Sequence, residues 1–212
     1  MNTIDFDHQS LTPSKIVCVG RNYVEHIHEL GNEIPENLVL FTKPNSAIST
    51  QLYDFGEQTR FEGEICFVVI DGALAGVGFG LDLTKADIQN HLKAKGLPWE
   101  RAKAFDGSAV FGRFVPFGRV EALSLKLYKH GTLVQHALYA LMMYKPAQVL
   151  AEIGTFMTLN DGDIIMSGTP KGVGGFAAGD LFTYELYEGE RVIVSGSFEV
   201  VASPIDTTRP PQ

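Results

Sequence analysis

Apolar side chains along the 212 residues recur mostly in short alternating or continuous runs, and only twice with a clear helical period. Residues 15–19 (KIVCV) predict a buried strand ending at Gly20. Asn22, with Glu25 three positions on, has the form of a helix start, and Gly31 of its stop. Two further β-rich runs follow: 38–43 (LVLFTK), closed by Pro44-Asn45, and 62–70 (EGEICFVVI), closed by Asp71-Gly72. Ala86, Ile88 and Leu92 give residues 85–95 an amphipathic period that Gly96 and Pro98 break, and a second helix is predicted from Ala147 to Phe156. Farther on, 123–128 (LSLKLY) alternates strictly, 163–167 (DIIMS) reads as buried, and 181–187 with 191–200 predict a hairpin turned at Glu188-Gly189. The sum is a mainly β fold with a few short helices, an α+β arrangement whose sheet folds over on itself, rather than a doubly wound α/β fold. No repeat or linker interrupts it, so we expect an N-terminal extension (1–14), one domain (15–203) and a frayed tail (204–212).

Hydrophobic residues at 45% and charged residues at 20% are ordinary for a globular chain that folds on its own core. Charge changes the picture more. A formal −8 argues against nucleic acid or an anionic membrane as partner, because both require clustered Lys and Arg. The N-terminus has no basic-then-apolar leader, and no apolar run approaches the ~18 residues of a membrane span, so a cytoplasmic protein is expected. Cys18 and Cys66 each lie inside an apolar run, which predicts core thiols and no disulfide.

Glu62 and Glu64 open the apolar run 62–70, and the two-residue period of a strand puts both carboxylates on one face, about 7 Å apart along the backbone. Such a pair is more often a solvated face than a cation site. Asp82, after the glycine-rich run GVGFGL, could add a third carboxylate and complete a hard, oxygen-only site suited to Mg²⁺ or Mn²⁺. It could equally cap the helix that follows, a task open to Thr84 as well.

The blocks VGRNYVEH (19–26), VLFTKP (39–44), FEGEICFVV (61–69), LDLTKADIQ (81–89), GLPWERAKAFDGS (96–108) and MSGTPKGVG (166–174) together resemble the fumarylacetoacetate hydrolase family, nearest to its short-chain branch of acylpyruvases and related enzymes. The resemblance spans residues 15 to 200 and implies a mixed β-sandwich roll, a homodimer, and one Mg²⁺ or Mn²⁺ on Glu62, Glu64 and Asp82. It also implies a catalytic His26–Glu29 pair, which i,i+3 spacing on a helix permits, with Glu29 orienting His26 as a general base. Lys103 falls on the family's active-site lysine, a cation for a substrate carboxylate or an enolate. Arg21, Tyr23, Lys43, Gln89, Gly168 and Thr169 fall on positions near the substrate, whereas His28, Lys93 and Lys95 read as surface residues.

Three features depart from the family pattern. Ala86 stands where many members carry an arginine that can grip a carboxylate; the segment between the two metal blocks (IDGALAGVGFG) is short and lacks a helix; and Val110 replaces a frequent proline. The resemblance implies action on a small 2-oxo acid. Hydrolysis of the C–C bond in acylpyruvates ranks first, because the His–Glu pair is present. Oxaloacetate decarboxylation or tautomerisation, or a 2-hydroxymuconate-type isomerisation or decarboxylation, ranks second, and an inert binding protein on the same fold ranks last.

Overall fold

Ile65, Phe67 and Val69 point to one side of the strand Gly63–Ile70, Cys66 and Val68 to the other, and all five are buried. A strand covered on both faces belongs at the centre of a sheet. The computed structural model, which describes residues 1–29, 35–56 and 58–203, places it there. The main, nine-stranded sheet runs in the order Gln9–Leu11, Ile4–Phe6, Ala109–Val115, Ala73–Asp82, Gly63–Ile70, Ile164–Met166, Lys15–Gly20, Val39–Pro44, with Ile48–Ser49 also on Ala109–Val115. Residues 1–14 thus add two short strands to its edge.

A five-stranded sheet covers one face, in the order Thr132–Leu138, Leu123–Lys129, Leu181–Glu188, Arg191–Ala202, Leu52–Asp54. Phe79 stacks on Tyr184 at 4.2 Å between centroids, and Phe61 meets Phe182 edge-on at 5.0 Å, so the two layers share one aromatic core. On the opposite face Gly78 and Gly80 make room for rings: a Cβ there would come within 2.7 Å of Phe114 and 2.8 Å of Phe111. The GVGFG run is therefore a packing surface. A small third sheet (Thr84–Lys85, Thr59–Phe61, Gly174–Gly175) closes one end of the sandwich. This is the mainly β, sandwich-like roll expected.

Four α-helices lie among the described residues: α1 (Val24–Glu29), α2 (Ala86–Ala94), α3 (Glu100–Lys103) and α4 (Pro146–Gly154). None is long and apolar enough to cross a membrane. Helix α1 corrects one expectation. Asn22 is not its cap: the buried amide donates to Tyr144 O at 2.9 Å and Ser167 O at 2.8 Å and accepts from Tyr144 N at 2.7 Å, tying together two distant loops. Gly31 and the tail from residue 204 lie outside the described residues. The short segment between the acidic blocks is a hairpin without a helix, with Asp71 and Gly72 at φ +50° and +70°, the two left-handed positions of a tight β-turn. Val110 is an ordinary buried strand residue opposite Leu81. Cys18 and Cys66 are free and buried.

Candidate active site

Antiparallel pairing assembles the acidic residues. Gly63 faces Leu81 and Glu64 faces Gly80, and the Asp82 N–H donates to Glu62 O at 2.9 Å. One carboxylate oxygen each from Glu62, Glu64 and Asp82 consequently lies within 4.8 Å of the others. Thr84 does not cap α2; its hydroxyl donates to Glu62 Oε1 at 2.9 Å, and the N-cap position falls to Lys85, whose side chain makes no capping hydrogen bond. Asp82 ends a strand and is no cap either.

Two buried lysines serve this trio. Lys103 Nζ, at the end of α3, lies 2.8 Å from Glu62 Oε2 and 2.7 Å from Asp82 Oδ2. Burial alone would lower its pKa, but the two carboxylates reverse this and raise it. Lys43 comes from the sheet below and has no exposed surface. Its ammonium donates to Lys103 O, to Ser108 O and Oγ at 3.0 Å, and more distantly to Leu83 O at 3.4 Å. It also lies 2.9 Å from Asp82 Oδ1, as an ion contact without hydrogen-bond alignment. Burial pushes the Asp82 carboxyl up, and Lys103 and Lys43 more than offset it, so Asp82 is held below its usual range. Glu64 goes the other way: burial, then Asp82, then Glu62 raise it, against the Gly168 N–H, which donates at 2.7 Å, and Lys103.

That asymmetry tests the fit of a metal. Glu64 is buried with two acids beside it and, among the described residues, one hydrogen bond, so its charged form calls for a further cation. The donors are all hard oxygens, the set that Mg²⁺ or Mn²⁺ takes. The residues fit such an ion.

His26 is 6% exposed, and its Nδ1 lies 3.2 Å from Glu29 Oε2, which leaves Nε2 as the nitrogen for a substrate. Glu29 is fixed in turn by the Gly172 N–H at 3.0 and 3.2 Å. Gly172 has φ +99°, and a Cβ there would fall 1.9 Å from Val134 O, so only glycine can supply this N–H. The loop is anchored by buried Gln135, which accepts from Gly63 N at 2.8 Å and donates to Thr169 Oγ1 at 2.8 Å and Pro170 O at 3.0 Å.

These side chains line a narrow cavity of about 40 Å³. Glu62, Glu64 and Asp82 border it, as do His26, Lys103, Arg21, Gln89 and Thr169. Arg21 is held at φ +57°, a conformation that non-glycine residues seldom adopt outside constrained sites. Of the other residues expected near the substrate, Lys43, Tyr23 and Gly168 do not line the cavity. Lys43 lies under Asp82, Tyr23 on a separate hollow behind α1, and Gly168 behind Glu64. Phe41 and Trp99, not singled out in the sequence, do line it, and so does Lys93, which was expected at the surface but stands half-buried on the cavity wall. Only the i,i+4 spacing of Gln89 and Lys93 hinted at the last. Beyond Phe41 and Trp99 lies a larger apolar hollow of about 570 Å³, bordered by Val39, Leu97, Pro98 and Phe156.

The chain matches the family described as fumarylacetoacetate (FAA) hydrolase C-terminal over residues 15–201. It is 37% identical to oxaloacetate tautomerase YcgM of Escherichia coli (strain K12) over 191 residues, 80% of this chain and 87% of that protein. It is 33% identical to the mitochondrial oxaloacetate tautomerase FAHD1 of Homo sapiens over 204 residues, 87% and 90% of the two chains. Among solved structures, the fumarylpyruvate hydrolase of Pseudomonas aeruginosa in complex with Mn²⁺ and pyruvate superposes with a TM-score of 0.84 at 25% identity, covering 95% of this chain and 96% of that one.

Proposed function

The chain belongs to the fumarylacetoacetate hydrolase family and is one of its enzymes, and from that premise we propose that it interconverts the keto and enol forms of oxaloacetate in a Mg²⁺- or Mn²⁺-dependent reaction. This ranks tautomerisation above the acylpyruvate hydrolysis that the sequence alone favoured, because the oxaloacetate tautomerases named above match over most of their length. The observation that carries it is a histidine, fixed by Glu29, on the wall of a cavity whose floor is three carboxylates and a lysine.

In this reading Glu62, Glu64 and Asp82 hold the metal, which when bound supplies Lewis-acid charge against the 2-oxo group. His26 Nε2 takes a proton from C3 of the keto acid. The electron pair of that C–H bond becomes the C2=C3 double bond, and negative charge moves to the 2-oxo oxygen, which takes a proton from solvent to give the enol while His26 returns its proton to solvent; the reverse sequence ketonises. Glu29, held by the Gly172 N–H, keeps Nδ1 engaged so that Nε2 faces the substrate. Lys103 offers the developing enolate a fixed positive charge that is already desolvated. Arg21, Gln89 and Thr169 line the space left for the rest of the molecule. The family resemblance also supports a homodimer, which sedimentation tests.

A second reading, hydrolysis of acylpyruvates, is favoured by the apolar hollow beyond Phe41 and Trp99, which suits an apolar acyl group. The deciding experiment follows the ultraviolet absorbance of enol-oxaloacetate and of acetylpyruvate with chelator-treated protein before and after Mg²⁺ is restored. We expect metal-dependent ketonisation with a catalytic efficiency at least ~10-fold above that for acetylpyruvate. The opposite order makes the enzyme a hydrolase.

A further inference from the structure

Helix α2 (Ala86–Ala94) turns one face to the cavity, and Gln89 and Lys93, one turn apart, both reach it. Ala86, two turns before Lys93 on the same face, is a buried methyl group with no charge to offer. The two cavity lysines are in different states. Lys103 is paired with Glu62 and Asp82, which engage two of its three N–H groups. The Lys93 ammonium, only partly exposed, has no hydrogen bond and no carboxylate within ion-pair distance among the described residues. Its partner is the face of Trp99, 5.2 Å from the ring centroid. Trp99 in turn meets Phe41 at 5.9 Å, and Phe41 lies under Lys103 at 5.0 Å. A cation thus stands at each end of an aromatic pair, one bound to the acidic trio and the other without a counter-ion among the described residues.

A partly desolvated ammonium without an anion is unfavourable unless a ligand supplies one. The surroundings agree: burial, then Arg21 and Lys103, draw Lys93 below the usual lysine range, with Glu62 opposing. We propose that Lys93 binds the carboxylate of the substrate remote from its 2-oxo group, and so makes this site select dicarboxylic over monocarboxylic 2-oxo acids. The inference rests on the 2-oxo acid reading above: the 2-oxo end belongs with the acidic trio and Lys103, which leaves the second carboxylate of a short dicarboxylate for the wall formed by α2. An uncharged distal group finds its place in the apolar hollow instead. As a point charge on a flexible stem, lysine suits one charge-assisted hydrogen bond better than a bidentate clamp.

The test compares the wild-type protein with Lys93→Met, which keeps an unbranched stem against Trp99 and removes the charge, and with Lys93→Arg. For oxaloacetate, Lys93→Met raises KM by about 10- to 100-fold, the loss of one charge-assisted hydrogen bond, while kcat stays within about threefold. KM for acetylpyruvate, which has no remote carboxylate, does not move, and Lys93→Arg recovers most of the oxaloacetate affinity. Calorimetric titration with malate and with lactate, two unreactive 2-hydroxy acids that differ in the remote carboxylate, reads the same contact without turnover. Wild type prefers malate, and Lys93→Met loses the preference. A malate preference that depends on Lys93 in a protein inactive on both substrates would overturn the proposed reaction and leave the anchor standing. A wild type without that preference, or a Lys93→Met variant that keeps both it and the oxaloacetate KM, overturns the anchor.

Discussion

Replacing Lys43 by methionine separates two roles that its position in the sequence does not distinguish. Methionine copies the length and flexibility of the stem and deletes the ammonium. Lys103 O keeps a donor, the Ser108 hydroxyl at 2.8 Å, and the contact with Leu83 O is long. The groups that lose most are Ser108 O, bonded at 3.0 Å, and Asp82 Oδ1 at 2.9 Å. Removing one partner of a fully buried ion contact costs about 3–5 kcal/mol, because the other charge stays buried. For a chain of this size each kcal/mol lowers the midpoint by about 2–4 °C, so Lys43→Met is expected to melt about 6–20 °C below wild type. Thermal unfolding followed by circular dichroism, in chelator so that metal binding does not contribute, measures the shift. Had Lys43 served mainly to touch substrate, the variant would keep its melting temperature and lose only KM. A drop under about 2 °C therefore refutes the structural role.

Gly172→Ala places a methyl group against Val134 O at a left-handed φ, so the loop shifts and the Gly172 N–H leaves Glu29; kcat is expected to fall about 10²-fold, the scale of a mispositioned general base, and an unchanged kcat would show that Glu29 needs no such tether. Glu64→Gln is expected to weaken Mg²⁺ binding more than ~100-fold in calorimetric titration without lowering the metal-free melting temperature, since the wild-type carboxyl is already raised by burial beside Asp82 and Glu62; wild-type affinity would remove Glu64 from the ligand set. Asp163 is held below its usual range because bonds from Lys15, Asn160 and Ser14 outweigh its burial. Its stabilisation is thus complete above the unfolded pKa of ~3.9 and is lost as pH falls through the lower folded value. Asp163→Asn should be less stable than wild type at neutral pH, with the gap closing only below pH ~4 in denaturant titrations, and a gap independent of pH would contradict the linkage.

The parts of the fold that could be read from the chain are those encoded by local period. The runs at 15–19, 62–70 and 123–128 became strands near their expected limits, and the helical period of 85–95 became α2. Asn22 was misread because the capping pattern is local, whereas its real partners lie more than a hundred residues away. The same limit applies to the candidate site. The acidic trio could be suspected from the two-residue period plus one more carboxylate. By contrast, nothing near Lys43 in sequence announces that Leu83, Lys103 and Ser108 will enclose it. Gln135 sits in an unremarkable strand run, LVQHAL, and its junction with the glycine loop exists only after the hairpin folds.

Trp99 is the chain's single tryptophan, and it forms part of the cavity wall with an ammonium over one face and Phe41 at its side. Indole emission from this protein consequently comes from one place, the wall of the cavity proposed to take the substrate. Steady-state and stopped-flow fluorescence can then time ligand entry on the unlabelled, unmodified enzyme, independently of any absorbance change in the substrate, and so separate binding from the proposed proton transfers that follow.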